Sequence, residues 1–139
     1  MSIRGLNHIT LAVTDLSRSI AFYRDILGLS VAACWESGAY LEAGNLWLCL
    51  SLDPTAADNP RTDYTHVAFD VAQEEFAATC ALIQAQAKTW KDNRSEGDSL
   101  YFVDPDGHKL EIHVGSLESR LAQYRERPPS GYRRLAGCH

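Results

Sequence analysis

Residues 91–115 read KDNRSEGDSLYFVDPDGHKLEIHVG, and the way this stretch divides decides the fold. In HKLEIHV, Leu110, Ile112 and Val114 alternate with Lys109, Glu111 and His113, the period of two that marks a strand with one apolar face. Glu111 therefore points away from the apolar layer. DPDG, residues 104–107, carries turn chemistry at every position and separates this strand from SLYFV, so the two are expected to form a hairpin. A carboxylate in mid-strand on the second face of a hairpin is either solvated or binds something.

The whole chain has 139 residues, enough for one compact domain or two very small ones sharing a core. No apolar run approaches the roughly 18 residues of a membrane span, and the start, MSIRGLNHIT, lacks a secretory hydrophobic region. The expectation is a cytoplasmic protein with no membrane partner. Cys34, Cys49, Cys80 and Cys138 form no CxxC pair, and three of them sit in apolar patterns, which reads as structural thiols in a reducing compartment. A net charge of −5 argues against nucleic acid as a partner, while a local basic pocket can still receive a small anion.

Taken from its start, the chain announces a repeat. LNHITLAV (6–13) alternates, with Ile9, Leu11 and Val13 on one face and His8, Thr10 and Ala12 on the other. LSRSIAFYRDILG (16–28) follows at helical spacing, with Asp15 or Ser17 available as a cap and Gly28 placed to end it. Three strands come next: SVAACW, GAYLEA and LWLCLSL, the last two joined at Gly44-Asn45. DPTAADNPRTD (53–63) reads as a linker. After it YTHVAFDV (64–71) repeats the first strand, with His66 falling 58 residues after His8, and EEFAATCALIQAQA (74–87) lies 58 residues after the first helix. TWK, SLYFV and HKLEIHV supply three more strands. The reading is α+β: two tandem βαβββ modules, about 5–53 and 64–115, in one domain, with a helical tail, 116–139, whose last residues are expected to be partly disordered.

The duplication has a geometric consequence. If Gly44-Asn45 matches Asp106-Gly107, then Leu48 corresponds to Leu110 and Cys49 to Glu111, the offset growing from 58 to 62. Each module thus offers two inward positions: His8 and Cys49, then His66 and Glu111. Two imidazoles and a carboxylate leave several positions of a divalent ion open, as a catalytic metal site requires, and Mn(II), Fe(II), Zn(II) and Ni(II) all tolerate this set. His108 has the opposite parity and reads as structural; His113 shares Glu111's parity and can support a ligand from behind. His139 carries no signal.

The paired modules with His8, His66 and Glu111 resemble the vicinal oxygen chelate superfamily. LNHITLAV, GAYLE, LWLCLS, DYTH, NRSEGDS and DPDGHKLEIHVG resemble its fosfomycin-resistance glutathione transferases, as far as Arg127. NRSEG followed by S-x-Y and DPDGHKLE is specific to that branch; DPDG alone is widespread. The resemblance implies a cup-shaped mixed sheet around a Mn(II) site, glutathione added to the epoxide of fosfomycin, stimulation by K⁺, and a homodimer exchanging modules, so that His8 joins His66 and Glu111 from the partner chain.

By the same resemblance Thr10 hydrogen-bonds or protonates the epoxide oxygen, and Lys91, Ser95, Tyr101 and Arg120 receive the phosphonate, whose two negative charges need fixed donors. Asn93, Ser95, Gly97 and Ser99, with Glu96 nearby, would wrap the K⁺. Trp35, Tyr40, Trp47 and Ser51 match positions lining the substrate and thiol channel, with Tyr40 against the thiol, and Cys49 leaves its corner of the metal site to substrate oxygens. Ordinary core packing is the alternative for both tryptophans. Val67, Glu36 and the length of the 53–63 linker depart from the family pattern and bear on which thiol is used. Asp98 has no assigned role. An Fe(II) extradiol dioxygenase, a glyoxalase and a drug-sequestering protein share the fold. The first has no use for an anion cradle, the second wants a fourth ligand at Cys49, and the third lacks a metal triad.

Overall fold

A computed structural model of the chain describes residues 2–56 and 59–135. β1 (His8–Val13) leads into α1 (Leu16–Ala21), followed by β2 (Ser30–Trp35), β3 (Gly38–Ala43) and β4 (Leu46–Leu52). The order then repeats: β5 (Val67–Asp70), α2 (Gln73–Gln84), β6 (Thr89–Lys91), β7 (Ser99–Val103) and β8 (Lys109–His113), with α3 (Leu117–Glu126) after them. Each half forms one four-stranded mixed sheet of an α+β fold, in the orders β1-β4-β3-β2 and β5-β8-β7-β6. β1 runs parallel to β4 and β5 to β8, while the hairpin neighbours are antiparallel.

The repeat extends to the ladder register. Thr10, Cys49 and Tyr40 stand opposite one another across β1, β4 and β3, and Ala68, Glu111 and Tyr101 do so across β5, β8 and β7. Cys49 therefore occupies the place of Glu111, and Leu48 that of Leu110. The outer strands even share an irregularity, a register shift between Val31 and Ala33 and another between Thr89 and Lys91, positions 58 residues apart.

Local chemistry sets most element boundaries. Asp15 caps α1 by accepting a 3.0 Å hydrogen bond from the Arg18 N–H. The helix expected to run regularly to Gly28 instead widens into a π-helical turn, Phe22–Ile26. Leu27 N–H reaches back to the Phe22 carbonyl, and the wider turn keeps the adjacent rings of Phe22 and Tyr23 both buried. α2 stops at Gln84 rather than at residue 87, because Gln86 and Ala87 N–H groups both turn back onto the Ile83 carbonyl. β5 starts at Val67, later than expected, so His66 lies immediately before the ladder.

One core serves both halves. Leu11, Val13, Phe22, Leu41, Leu48 and Leu50 join Phe69, Ile83, Phe102, Leu110 and Ile112 in a single buried cluster. A polar latch reinforces it, and the DPDG turn is its centre. Asp106 is fully buried and accepts hydrogen bonds from Thr14 N, Thr14 Oγ1 and Ser19 Oγ at 3.1, 2.6 and 3.3 Å, with Arg18 Nη2 at 3.3 Å. Asp104 accepts from Tyr23 Oη at 2.7 Å and from the backbone N–H groups of Asp106 and His108. His108 Nε2 donates to the Ala12 carbonyl at 2.7 Å, a structural contact that its parity suggested. Burial pushes the Asp104 carboxyl above the usual range and the Tyr23 phenol well above its own.

Cys34, Cys49 and Cys80 are free thiols; Cys49 is buried and Cys80 half-buried, but Cys34 is exposed on β2, contrary to the expectation of burial, because β2 is an outer strand. Cys138, His139 and the expectation of a disordered chain end fall outside the described residues. Among the described residues no helix is long and apolar enough to cross a membrane.

Candidate active site

Strand parity carries Glu111 off the core side of β8, and it remains nearly buried, its side chain 7% exposed. Its two oxygens keep different company. Oε1 stands 3.1 Å from His66 Nε2, while Oε2 accepts a 2.7 Å hydrogen bond from Ser99 Oγ, itself 2.6 Å from His113 Nδ1. His66 Nδ1 donates to the Tyr64 carbonyl at 2.8 Å, which leaves the lone pair of the neutral ring on Nε2, aimed at the carboxylate. Two electron-pair donors facing each other suit a shared cation. Cis donors bonded to one divalent ion at about 2.1–2.2 Å stand about 3 Å apart, so the spacing of this pair fits such an ion.

Beside the pair lies a cationic wall set in aromatic rings. Lys91 Nζ donates to Tyr64 Oη at 2.7 Å and sits over the Tyr101 ring at 4.6 Å. The hydrogen bond with Tyr64 raises the Lys91 pKa, so the ammonium is firmly held. Trp90 packs edge-on against Tyr101 at 5.2 Å and lies 5.4 Å from the His66 ring. Tyr64 lies in DYTH and Trp90 in the strand TWK, but sequence reading gave neither a role; their positions two residues before His66 and one before Lys91 were the available signal.

The loop between β6 and β7 closes on itself. Asn93 Oδ1 accepts from Ser95 N and Ser95 Oγ, both at 3.0 Å, and Asn93 Nδ2 donates to the Gly97 carbonyl at 2.8 Å. Arg120, on α3, reaches Glu96 Oε2 at 3.3 Å. Burial works against its charge, but hydrogen bonds with Tyr124 and Glu96 outweigh this and raise its pKa. Asp98 accepts from Gln73 Nε2 at 2.9 Å, which ties the loop to the start of α2 and gives that residue the account it lacked. Ser99 belongs to the loop by sequence, yet its hydroxyl turns to Glu111.

The first module presents the corresponding face. His8 Nδ1 bonds Asn7 Oδ1 at 2.7 Å, and its ring lies 4.4 Å from that of Trp47. Tyr40 continues the row between Trp47 at 5.1 Å and Trp35 at 4.7 Å. Trp47 Nε1 is buried without a hydrogen-bond partner. A cavity of ≈ 420 Å³ opens here, lined by Ala32, Tyr40, Glu42, Leu46 and Trp47. Thr10 and Ser51 are exposed beside buried Cys49, and Glu36 is exposed in the β2–β3 turn. The chain thus brings His66, Glu111, Lys91 and Tyr101 together but leaves His8 and Thr10 on the other sheet. Among the described residues no three His, Cys, Asp or Glu side chains converge on one point. Val67 pairs with Leu110 at the head of β5 and is half-buried.

Residues 5–112 match the family described as Glyoxalase/Bleomycin resistance protein/Dioxygenase superfamily. The chain is 53% identical over 132 residues to Glutathione transferase FosA of Serratia marcescens, covering 93% of this chain and 94% of that one. It is 38% identical over 135 residues to Metallothiol transferase FosB of Staphylococcus epidermidis, covering 91% and 95%. Among solved structures, the fosfomycin resistance protein FosX of Listeria monocytogenes, complexed with Mn(II) and sulfate ion, superposes with a TM-score of 0.75 at 32% identity, covering 88% of this chain and 98% of that chain.

Proposed function

The chain belongs to the Glyoxalase/Bleomycin resistance protein/Dioxygenase superfamily, and from that premise we propose that it is a metal-dependent transferase that adds the glutathione thiol to the epoxide of fosfomycin. The observation that carries the reading is the adjacency, on one sheet face, of the His66–Glu111 donor pair and the Lys91 ammonium held by Tyr64. A dioxygenase or a sequestering protein has no need of both.

His66 and Glu111 would hold the ion, with His8 from a second copy of the chain as the third ligand; Mn(II) is the proposed metal. When bound, it supplies Lewis acidity toward the epoxide oxygen. Lys91, Ser95, Tyr101 and Arg120 bind the phosphonate and hold the ring carbon in line with the thiol. Thr10 then lies where its hydroxyl can hydrogen-bond the ring oxygen. The thiolate sulfur forms a bond to carbon as the carbon–oxygen bond breaks, and the released oxygen takes a proton, giving a thioether beside a hydroxyl. Tyr40 stands by the thiol, and Trp35, Trp47 and Ser51 line its approach; the reading is supported for Tyr40 and Trp47 by the cavity they line. Asn93, Ser95, Glu96 and Gly97, with Ser99 at the loop's end, would hold K⁺ and steady Lys91 and Ser95.

The third ligand motivates a homodimer with exchanged modules. β1 and β5 are both edge strands, and His8, exposed at the start of β1, lies on the other sheet from Glu111. The test is thiol consumption by the purified protein with Mn(II) and K⁺. Loss of glutathione thiol is expected only when fosfomycin is present. Absence of turnover with glutathione, cysteine and bacillithiol alike would overturn the transferase reading.

A further inference from the structure

We propose that His113 is a positioning residue for the metal-binding carboxylate, acting through Ser99 to fix the orientation of Glu111. The inference rests on the assignment of Glu111 as a ligand. Proton counting gives the chain its direction. The Glu111 carboxylate only accepts, so the single hydroxyl proton of Ser99 goes to Oε2 at 2.7 Å. Ser99 Oγ then has only lone pairs to offer His113, and the 2.6 Å contact requires the proton to sit on His113 Nδ1. Each donor points toward the carboxylate, and Oε1 is left facing His66.

The backbone holds the imidazole in that role. A Cβ at Gly97 would stand 2.9 Å from His113 Cε1 and collide with the Val114 carbonyl, and one at Gly115 would stand 2.7 Å from His113 Nε2. Both glycines have positive φ, +80° and +147°, so the slot depends on glycine twice over. His113 is only 16% exposed inside it. Gly97 also accepts from Asn93, which joins the slot to the loop proposed for K⁺.

The internal repeat provides a control within the chain. Ser99 pairs with His113 as Gly38 pairs with Ser51 in the first module. Where the carboxylate is replaced by Cys49, the serine–histidine support is absent too. The pair accompanies the carboxylate, which packing alone does not demand.

The test is Mn(II) affinity, read from the electron paramagnetic resonance signal of free Mn(II) during titration of the full-length protein. Ser99→Ala and His113→Leu are each expected to weaken binding by about 10–100-fold. The double variant is expected to be no weaker than the worse single one, since both act along one path. His113→Asn, which retains a donor near Nδ1, should recover much of the loss, and Ser99→Ala decides the matter if His113→Leu does not fold. Wild-type affinity in Ser99→Ala, or losses that simply add, would overturn the positioning role while leaving the metal assignment intact. Wild-type protein that binds no Mn(II) would overturn both.

Discussion

At the scale of single residues, Glu111 and Tyr64 make the sharpest demands. Glu111 is nearly buried against His66, so replacing one carboxylate oxygen by an amide removes charge where the donor set needs it. Glu111→Gln is expected to abolish tight Mn(II) binding while the circular dichroism spectrum and melting of the metal-free protein stay near wild type; unchanged Mn(II) affinity would remove Glu111 from the ligand set. Tyr64→Phe removes the acceptor of Lys91 Nζ. Because a hydrogen bond to a charged group at a half-exposed site is worth about 1 kcal/mol, KM for fosfomycin should rise about fivefold with kcat little changed. Steady-state kinetics with glutathione saturating measures this, and an unchanged KM would count against Tyr64 as the brace of Lys91. Glu111 was legible in the sequence because strand parity exposes a polar residue in an apolar alternation. Tyr64, Trp90 and the turn of Ser99 toward Glu111 were not, since a side chain's partner depends on which segments fold beside it.

Elements behave likewise. DPDG reads as a turn, and it is one, but its carboxylates also dock the second module onto α1. Asp106→Ala would leave the buried Ser19 hydroxyl and the half-buried Thr14 donors without an acceptor, and urea unfolding should show a loss of about 3 kcal/mol. Asp104 gives a pH signature. Its folded-state pKa is raised, chiefly by burial, so the folded chain holds this proton more tightly than the unfolded one. Its ionisation therefore costs stability as pH rises from the ordinary aspartate value, about 3.9, through the raised folded value. Across that window wild type should lose stability relative to Asp104→Asn, which keeps an acceptor for the backbone N–H groups of Asp106 and His108. Melting curves of the two proteins from acid to neutral pH check it, and parallel curves would refute it. The π-helical turn was hidden for a related reason: helical periodicity places Leu16, Ile20 and Tyr23 on one stripe, but burying Phe22 and Tyr23 together is settled by the opposing core, with Phe102 6.3 Å from Phe22.

For the molecule as a whole, the proposed metal site turns on where its third ligand would come from. His8 and the His66–Glu111 pair lie on separate sheets of one chain, so completion by a second copy predicts complementation. His8→Ala and Glu111→Gln variants, each inactive alone, should regain roughly a quarter of wild-type activity when unfolded and refolded together, because half of a random mixture is mixed dimers with one intact site each. Sedimentation should give about twice the 15.4 kDa chain mass. No recovery in refolded mixed dimers would place the whole site within one chain. The sequence by itself determined the element order and the 58-residue repeat, and it singled out His8, His66, Cys49 and Glu111 as matched candidate positions, because periodicity and internal symmetry are properties of the chain read locally. Only the tertiary structure decided that the two halves share one core through buried Asp104 and Asp106, that Ser99 bonds Glu111, and that His8 and Glu111 lie on separate sheets. Those outcomes depend on which faces meet across long sequence separations, and burial and hydrogen bonding at such a meeting are fixed by both faces at once.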